Sequence, residues 1–268
     1  PKNLGFLLED INILKSSEFN EDKFNIISLD CGDRKRICVS DELKDKAQKI
    51  ICIDHHASND AYGDFNYIDV NASSTCELVY NVLVSYNEKY NIDLIDENIA
   101  TFLYTGLVTD TGNFMYSSTH PSSFDMAKNL LLKGAKKESI IQNVFQSNPA
   151  NYYKLLGEAL NTLDIVNDKV ACIAITKEML KRNVISFNDV DGITSYTRDI
   201  EGVEVGILLK EKKENEVKVS LRSKSYVDVS KIAQSFGGGG HVMAAGCTIY
   251  DSVENAKKKV MDAVLKTI

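Results

Sequence analysis

Lys49-Ile50-Ile51-Cys52-Ile53-Asp54-His55-His56 is the stretch on which the reading of the fold turns. Its apolar residues do not alternate with polar ones, and the run stops at a carboxylate. A short apolar run without alternation suits a strand buried on both faces, as in a parallel sheet. Asn25-Ile26-Ile27-Ser28-Leu29 repeats the pattern upstream and stops at Asp30. Between them, Asp41–Lys49 reads as a short helix behind a Ser40 N-cap. Strand, helix, strand is a βαβ unit, whose ligands bind beyond the carboxyl ends of the strands. Asp30 and Asp54 therefore face one crevice.

Working outward, Ser74–Asn87 carries apolar residues at 78, 79, 82 and 83, a helical stripe capped by Ser73 or Ser74. Glu97–Thr109 is a second apolar helix, running into Asp110-Thr111-Gly112. Ser122–Lys133 is a third, stopped by Gly134. Ala150–Leu163, with Tyr153, Leu156, Leu160 and Leu163 at helical spacing, reads as a connecting helix. Beyond it come a strand at Lys169–Thr176 and a hairpin of Val203–Lys210 with Glu216–Lys224 across the charged turn Glu211–Asn215. In the second arm Val217, Val219 and Leu221 alternate with Lys218, Ser220, Arg222 and Lys224, so one face is apolar and the other cationic. A helix at Val227–Phe236, four glycines, His241, a strand at Cys247–Tyr250 and an amphipathic C-terminal helix complete the chain.

The chain has 268 residues, 31 Lys and Arg against 38 Asp and Glu, and a net charge of −7. That length suits two domains, each large enough for a core. The acidity argues against a coat for long nucleic acid, whose affinity comes from neutralising many phosphates. A short phosphorylated ligand needs only a local cluster of cations. The six cysteines form no C-x-x-C pair, and most have apolar neighbours, which suits reduced, buried thiols and a cytoplasmic location. No apolar run approaches the roughly 18–20 residues of a membrane span.

Two clusters carry chemistry. In Asp54-His55-His56 the imidazoles, being adjacent at a strand end, should point apart, one to a metal ion and one to a substrate oxygen. Asp30 and Asp110 add carboxylates, and a donor set of carboxylate and imidazole without thiolate suits Mn²⁺ or Mg²⁺. Gly237-Gly238-Gly239-Gly240-His241, followed by Ala244-Ala245-Gly246, allows close backbone approach to an anion, and a helix beginning near His241 would favour a phosphate.

These segments, with Cys52–Asn59, Gly63–Tyr67, Ser73-Ser74-Thr75-Cys76-Glu77, Asp110-Thr111-Gly112-Asn113-Phe114 and Ser220-Leu221-Arg222-Ser223-Lys224, resemble the DHH phosphoesterases. More narrowly they resemble the nanoRNase/pAp phosphatase (NrnA-type) branch. The resemblance implies an α/β protein. A parallel-sheet DHH domain with helices on both faces (1–148) is joined by a linker helix (149–163) to a smaller mixed-sheet DHH-associated domain (164–268), with the active site in the cleft between. It implies a two-ion site for Mn²⁺ or Mg²⁺, with Asp30 bridging and His55 and Asp110 on the second metal. His56 would contact the scissile phosphate and Asp54 would orient the loop. Substrate phosphate would be gripped by Arg222, Lys224 and the loop Gly238, Gly239, Gly240 and His241, with Arg198 nearby. The implied partner is short RNA or a nucleotide, hydrolysed to 5′-mononucleotides, or 3′-phosphoadenosine 5′-phosphate, hydrolysed to AMP. No membrane is implied, and a homodimer is compatible.

One departure stands out. The family's first motif, a His-x-x-Pro-Asp-Gly-Asp-like stretch after its first strand, has no counterpart before Asp30, and Asp189–Gly192 lies in the second half and reads as a loop. The expectation is a chain lacking its first βα unit, holding one ion of the two, with impaired activity. A nucleotide-binding module without turnover, and the core of a cyclic-dinucleotide phosphodiesterase, are the alternatives.

Overall fold

Ile26–Leu29 (β1) and Ile50–Asp54 (β2) pair in parallel, Ile26 opposite Ile50 and Leu29 opposite Ile53. Asp30 N–H extends the ladder by donating to the Ile53 carbonyl at 3.1 Å. Phe65–Ile68 (β3) lies parallel on the other edge of β2, giving the order β1-β2-β3. In this computed structural model, residues 2–8 and 11–268 are described. The chain divides into two units, Pro1–Ser147 and Asn148–Ile268.

In the first unit, Asp41–Lys46 (α1) starts where Ser40 Oγ accepts the Leu43 N–H. It stops three residues before the expected end because Gln48 N–H and the Lys49 carbonyl are already engaged with Phe24 and Ile26 at the sheet. Thr75–Tyr90 (α2) is capped by Ser74 Oγ, while the Glu77 carboxylate reaches back to the Ser73 N–H and hydroxyl at 2.8 and 2.5 Å. Its Leu78 packs with Ile53 of β2. Glu97–Asp110 (α3) and Pro121–Leu132 (α4) close the core around the fully buried Leu107 and Leu130. α2 and α3 approach so closely that a Cβ at Gly106 would fall 2.1 Å from Cys76 Sγ. A short helix at Lys137–Ile140 (α5) runs into a π turn.

The second unit is a six-stranded mixed sheet. Asp164–Val166 (β4), Val170–Ile175 (β5), Val205–Lys213 (β6), Glu216–Ser223 (β7), Gly239–His241 (β8) and Ala244–Ile249 (β9) lie in the order β4-β5-β6-β7-β9-β8. Only β5 and β6 are parallel. The β6–β7 turn is tighter than Glu211–Asn215, because pairing resumes at Lys213 and Glu216 beyond a bulge. One sheet face, including Ile207, Val219 and Cys247, is buried with residues of Val229–Ser235 (α9) and Val253–Leu265 (α10). The other face buries Ile173 and Leu208 against Ala150–Leu160 (α6) and Lys177–Asn183 (α7).

Three expectations change here. The buried stripe of α6 is Tyr152, Leu155, Leu156 and Ala159, and Tyr153 is 53% exposed. Asp189–Gly192 lies in a 3-10 helix, Phe187–Ile193, whose Asp191 carboxylate pairs with the fully buried Lys210. No helix begins at His241, since Gly239–His241 is an edge strand. The cysteines are free thiols. Burial pushes Cys172 up to about 12 and Cys247 to about 11, while Cys38 is exposed. Among the described residues no helix is long and apolar enough to cross a membrane.

Candidate metal centre and phosphate face

Asp54 ends β2 with its side chain fully buried. Its Oδ1 accepts the backbone N–H groups of His55 and His56, at 2.8 and 3.2 Å, and sits 2.7 Å from His56 Nδ1. Its Oδ2 accepts from Asn59 Nδ2 at 2.6 Å. Burial alone would raise the Asp54 pKa, but the bonds from Asn59 and His56 outweigh it and the net shift is downward. A buried carboxylate so bonded is ionised and fixes the turn that leaves the strand.

That turn explains a difference from the sequence reading. The two imidazoles do not diverge; their centroids lie 4.8 Å apart, edge to face. His55 Nδ1 lies 3.1 Å from the Ala72 carbonyl, an oxygen that only accepts, so Nδ1 donates there and Nε2 is the ring nitrogen left facing the carboxylates. Nε2 is 3.2 Å from Asp110 Oδ2 and 3.7 Å from Asp30 Oδ1. Asp30 Oδ1 is also 3.7 Å from His56 Nδ1. Asp30, His55 and His56 each offer one ligand atom within a 4.8 Å cluster.

Asp30 itself has a φ of +56°, a left-handed conformation that costs a non-glycine residue free energy and that Asp and Asn tolerate best. Thr75, the first residue of α2, holds it there by donating from Oγ1 to Asp30 Oδ1 at 2.8 Å. Asp110 ends α3, and its pKa is raised by burial and by the Asp30 charge, against the opposing pull of His55 and His56. Two carboxylates and an imidazole nitrogen converge on one point, the oxygen and nitrogen donors that a divalent cation takes. The donor set fits such an ion. Thr75 and Asn59 were absent from the candidate residues. Their signals were the Ser73–Glu77 and Asp54–Asn59 segments, whose spacing shows a cap and a turn but not which carboxylate each side chain would hold.

The second unit supplies cations. Gly206, Arg222, Ala244 and His241 occupy one cross-strand row over β6, β7, β9 and β8. Residues in one row share a face, so Arg222 and His241 stand on the same side with small residues around them. Arg198 ends Thr194–Arg198 (α8), whose backbone covers Gly206 so closely that a Cβ there would lie 2.6 Å from Arg198 N. Arg198 bonds Asp199 Oδ1 through Nε and Nη2 at 3.0 and 2.8 Å. Lys224 is exposed and donates to the Ile200 carbonyl at 2.9 Å. Gly238 and Gly240 are needed for packing, because a Cβ on either would fall 2.2 or 2.5 Å from a β9 carbonyl, whereas Gly239 faces open space.

The first unit thus carries a carboxylate-imidazole centre at the end of a parallel strand, and the second a sheet row bearing Arg222 and His241. The model of the DHH family, N-terminal domain, matches residues 7–107, and that of the DHHA1 domain matches residues 163–268. The chain belongs to the DHH family and carries a DHHA1 domain. It is 32% identical over 216 residues to the bifunctional oligoribonuclease and PAP phosphatase NrnA of Thermus thermophilus, covering 80% of this chain and 63% of that protein. A Streptococcus mutans relative named "Probable bifunctional oligoribonuclease and PAP phosphatase NrnA" is 30% identical, with 86% of this chain and 71% of the relative covered. The chain thus spans about two thirds of the length of these relatives. The crystal structure of an exopolyphosphatase-related protein from Bacteroides fragilis matches with a TM-score of 0.87 at 28% identity, covering 99% of this chain and 80% of that one.

Proposed function

We propose that the chain is a divalent-metal-dependent phosphoesterase that releases 5′-mononucleotides from short oligoribonucleotides and removes the 3′-phosphate of 3′-phosphoadenosine 5′-phosphate. The observation that carries the reading is His55 Nε2 facing Asp30 Oδ1 and Asp110 Oδ2 at 3.7 and 3.2 Å, with the opposite ring nitrogen tied to the Ala72 carbonyl. Such a tie to the far ring nitrogen is the usual support of a metal-binding histidine. The relatives' names, oligoribonuclease and PAP phosphatase, supply the substrate class.

Asp30, His55 and Asp110 would hold Mn²⁺ or Mg²⁺, the hard ions that oxygen and imidazole donors without thiolate favour. When bound, such an ion supplies Lewis acidity toward a phosphoryl oxygen and lowers the pKa of water. The remaining work falls to the chain. Asp54 keeps the His56 ring in one orientation with Nδ1 engaged, so Nε2 is the atom a phosphate oxygen meets. Arg222 offers a planar fork of donors to phosphate, with Arg198, Lys224, Gly238 and the Gly239–His241 strand in the same unit.

The test is product analysis with a dinucleotide, 3′-phosphoadenosine 5′-phosphate and a cyclic dinucleotide, each with Mn²⁺. Mononucleotides and AMP from the first two support the reading. Turnover of the cyclic substrate alone would transfer it to the phosphodiesterase alternative, and binding without turnover would make the chain a nucleotide-binding module.

A further inference from the structure

Glu204 immediately precedes β6 and is 4% exposed, yet its carboxylate takes no part in the metal centre or the phosphate face. Its Oε1 accepts the consecutive backbone N–H groups of Ser225, Tyr226 and Val227, at 3.0, 2.8 and 3.1 Å, and the Ser223 hydroxyl at 2.9 Å. Its Oε2 accepts from Ser225 Oγ at 2.7 Å. Successive N–H groups converging on one point form an anion nest. Here the chain's own carboxylate fills it. Burial would raise the Glu204 pKa, but these bonds outweigh it and hold the group down to about 2, so it is a fixed anion.

The loop gathered in this way follows Arg222 directly. Its first exposed residue, Lys224, gives its N–H to the Glu204 carbonyl at 2.8 Å and its ammonium to the Ile200 carbonyl at 2.9 Å. Ile200 lies two residues after Arg198. The Glu204 carboxylate therefore fixes the loop that follows Arg222, and Lys224 in that loop ties it to Ile200, beside Arg198.

We propose that Glu204 is a positioning residue for substrate, holding the 223–227 loop so that Arg198, Arg222 and Lys224 present one preformed set of donors to phosphate. The proposal rests on the function given above. Preformed donors lower the ordering cost of binding, so the effect falls on substrate affinity and not on the chemical step.

The experiment compares wild type with Glu204→Gln and the milder Ser225→Ala. It reads hydrolysis of 3′-phosphoadenosine 5′-phosphate, calorimetric binding of the same compound without metal, and amide exchange at residues 225–227. Glu204→Gln is expected to speed exchange, raise KM and Kd about tenfold and leave kcat within about twofold, with a smaller change of the same kind for Ser225→Ala. Faster exchange with unchanged KM and Kd would overturn the proposal, because the loop would then be structural only. Unchanged exchange would overturn it by showing that no clamp exists. If Glu204→Gln does not fold, Ser225→Ala decides alone. Wild type that neither hydrolyses nor binds the compound would refute the functional reading first, and this proposal with it.

Discussion

The buried carboxylate of Asp54 lies 2.7 Å from His56 Nδ1 and simultaneously accepts the backbone N–H groups of His55 and His56. The His56 ring and the backbone of both histidines thereby take their directions from one buried carboxylate. Asp54→Asn places an amide NH₂ where three donors already converge, or turns its oxygen to them and loses the charge. Breaking such a buried network costs about 3–5 kcal/mol, and losing a histidine's support costs about 10–100-fold in metal affinity. Chemical denaturation and Mn²⁺ titration of the variant measure the two effects separately.

Asp30 offers a cleaner separation. Because its φ of +56° suits Asn as well as Asp, Asp30→Asn should keep the fold, with a Tm within a few degrees of wild type, and lose most Mn²⁺ affinity. Asp30→Ala should lose both, since Ala bears the left-handed strain without a side-chain acceptor for Thr75. Paired melting curves and Mn²⁺ calorimetry decide it.

The glycine run can be divided residue by residue. Gly240→Ala, at a φ of +146° with a Cβ 2.5 Å from the Ala244 carbonyl, should destabilise the second unit by at least about 1–3 kcal/mol. Gly239→Ala meets nothing within 4 Å and should leave the Tm unchanged. If the strand approaches substrate phosphate, Gly239→Ala raises KM; an unchanged KM would remove this strand from the site.

Glu204 also sets an acid limit. Its pKa falls from an ordinary 4.5 to about 2 in the folded chain, so its contribution is complete above about 4.5 and is lost as pH drops toward 2. A shift of that size corresponds to roughly 3 kcal/mol. Urea titrations across this range should show a steeper stability loss in wild type than in Glu204→Gln, and parallel curves would contradict the assignment.

What could be read from sequence, and what could not, follows the same physics. β2 was legible because a strand buried on both faces leaves an unbroken apolar run. β1 carries a similar run, but it is not buried on both faces, since Ile27 and Leu29 are 61% and 50% exposed at the sheet edge; the terminal Asp30 and Asp54 of the two strands marked the site. β3 was not, because a four-residue edge strand with Phe65 61% exposed needs no such run. The buried face of α6 was not legible because Tyr152 and Tyr153 are adjacent aromatics; burial beside Ile173 and Leu208 selects Tyr152, which periodicity alone does not reveal. The approach of His55 to His56 depends on where the Asp54 carboxylate turns. β8 was hidden because its pairing depends on how closely Gly238 and Gly240 pack on β9, and four glycines read as loop.

The role proposed for Asp30, His55 and Asp110 as a metal centre for phosphoester hydrolysis is decided by following cleavage of a dinucleotide as Mn²⁺ is added, in parallel with Asp30→Asn. 5′-Mononucleotides should form only in the presence of the ion and be lost in a variant that keeps its Tm. Equal hydrolysis in chelator, or undiminished hydrolysis by Asp30→Asn, would contradict it.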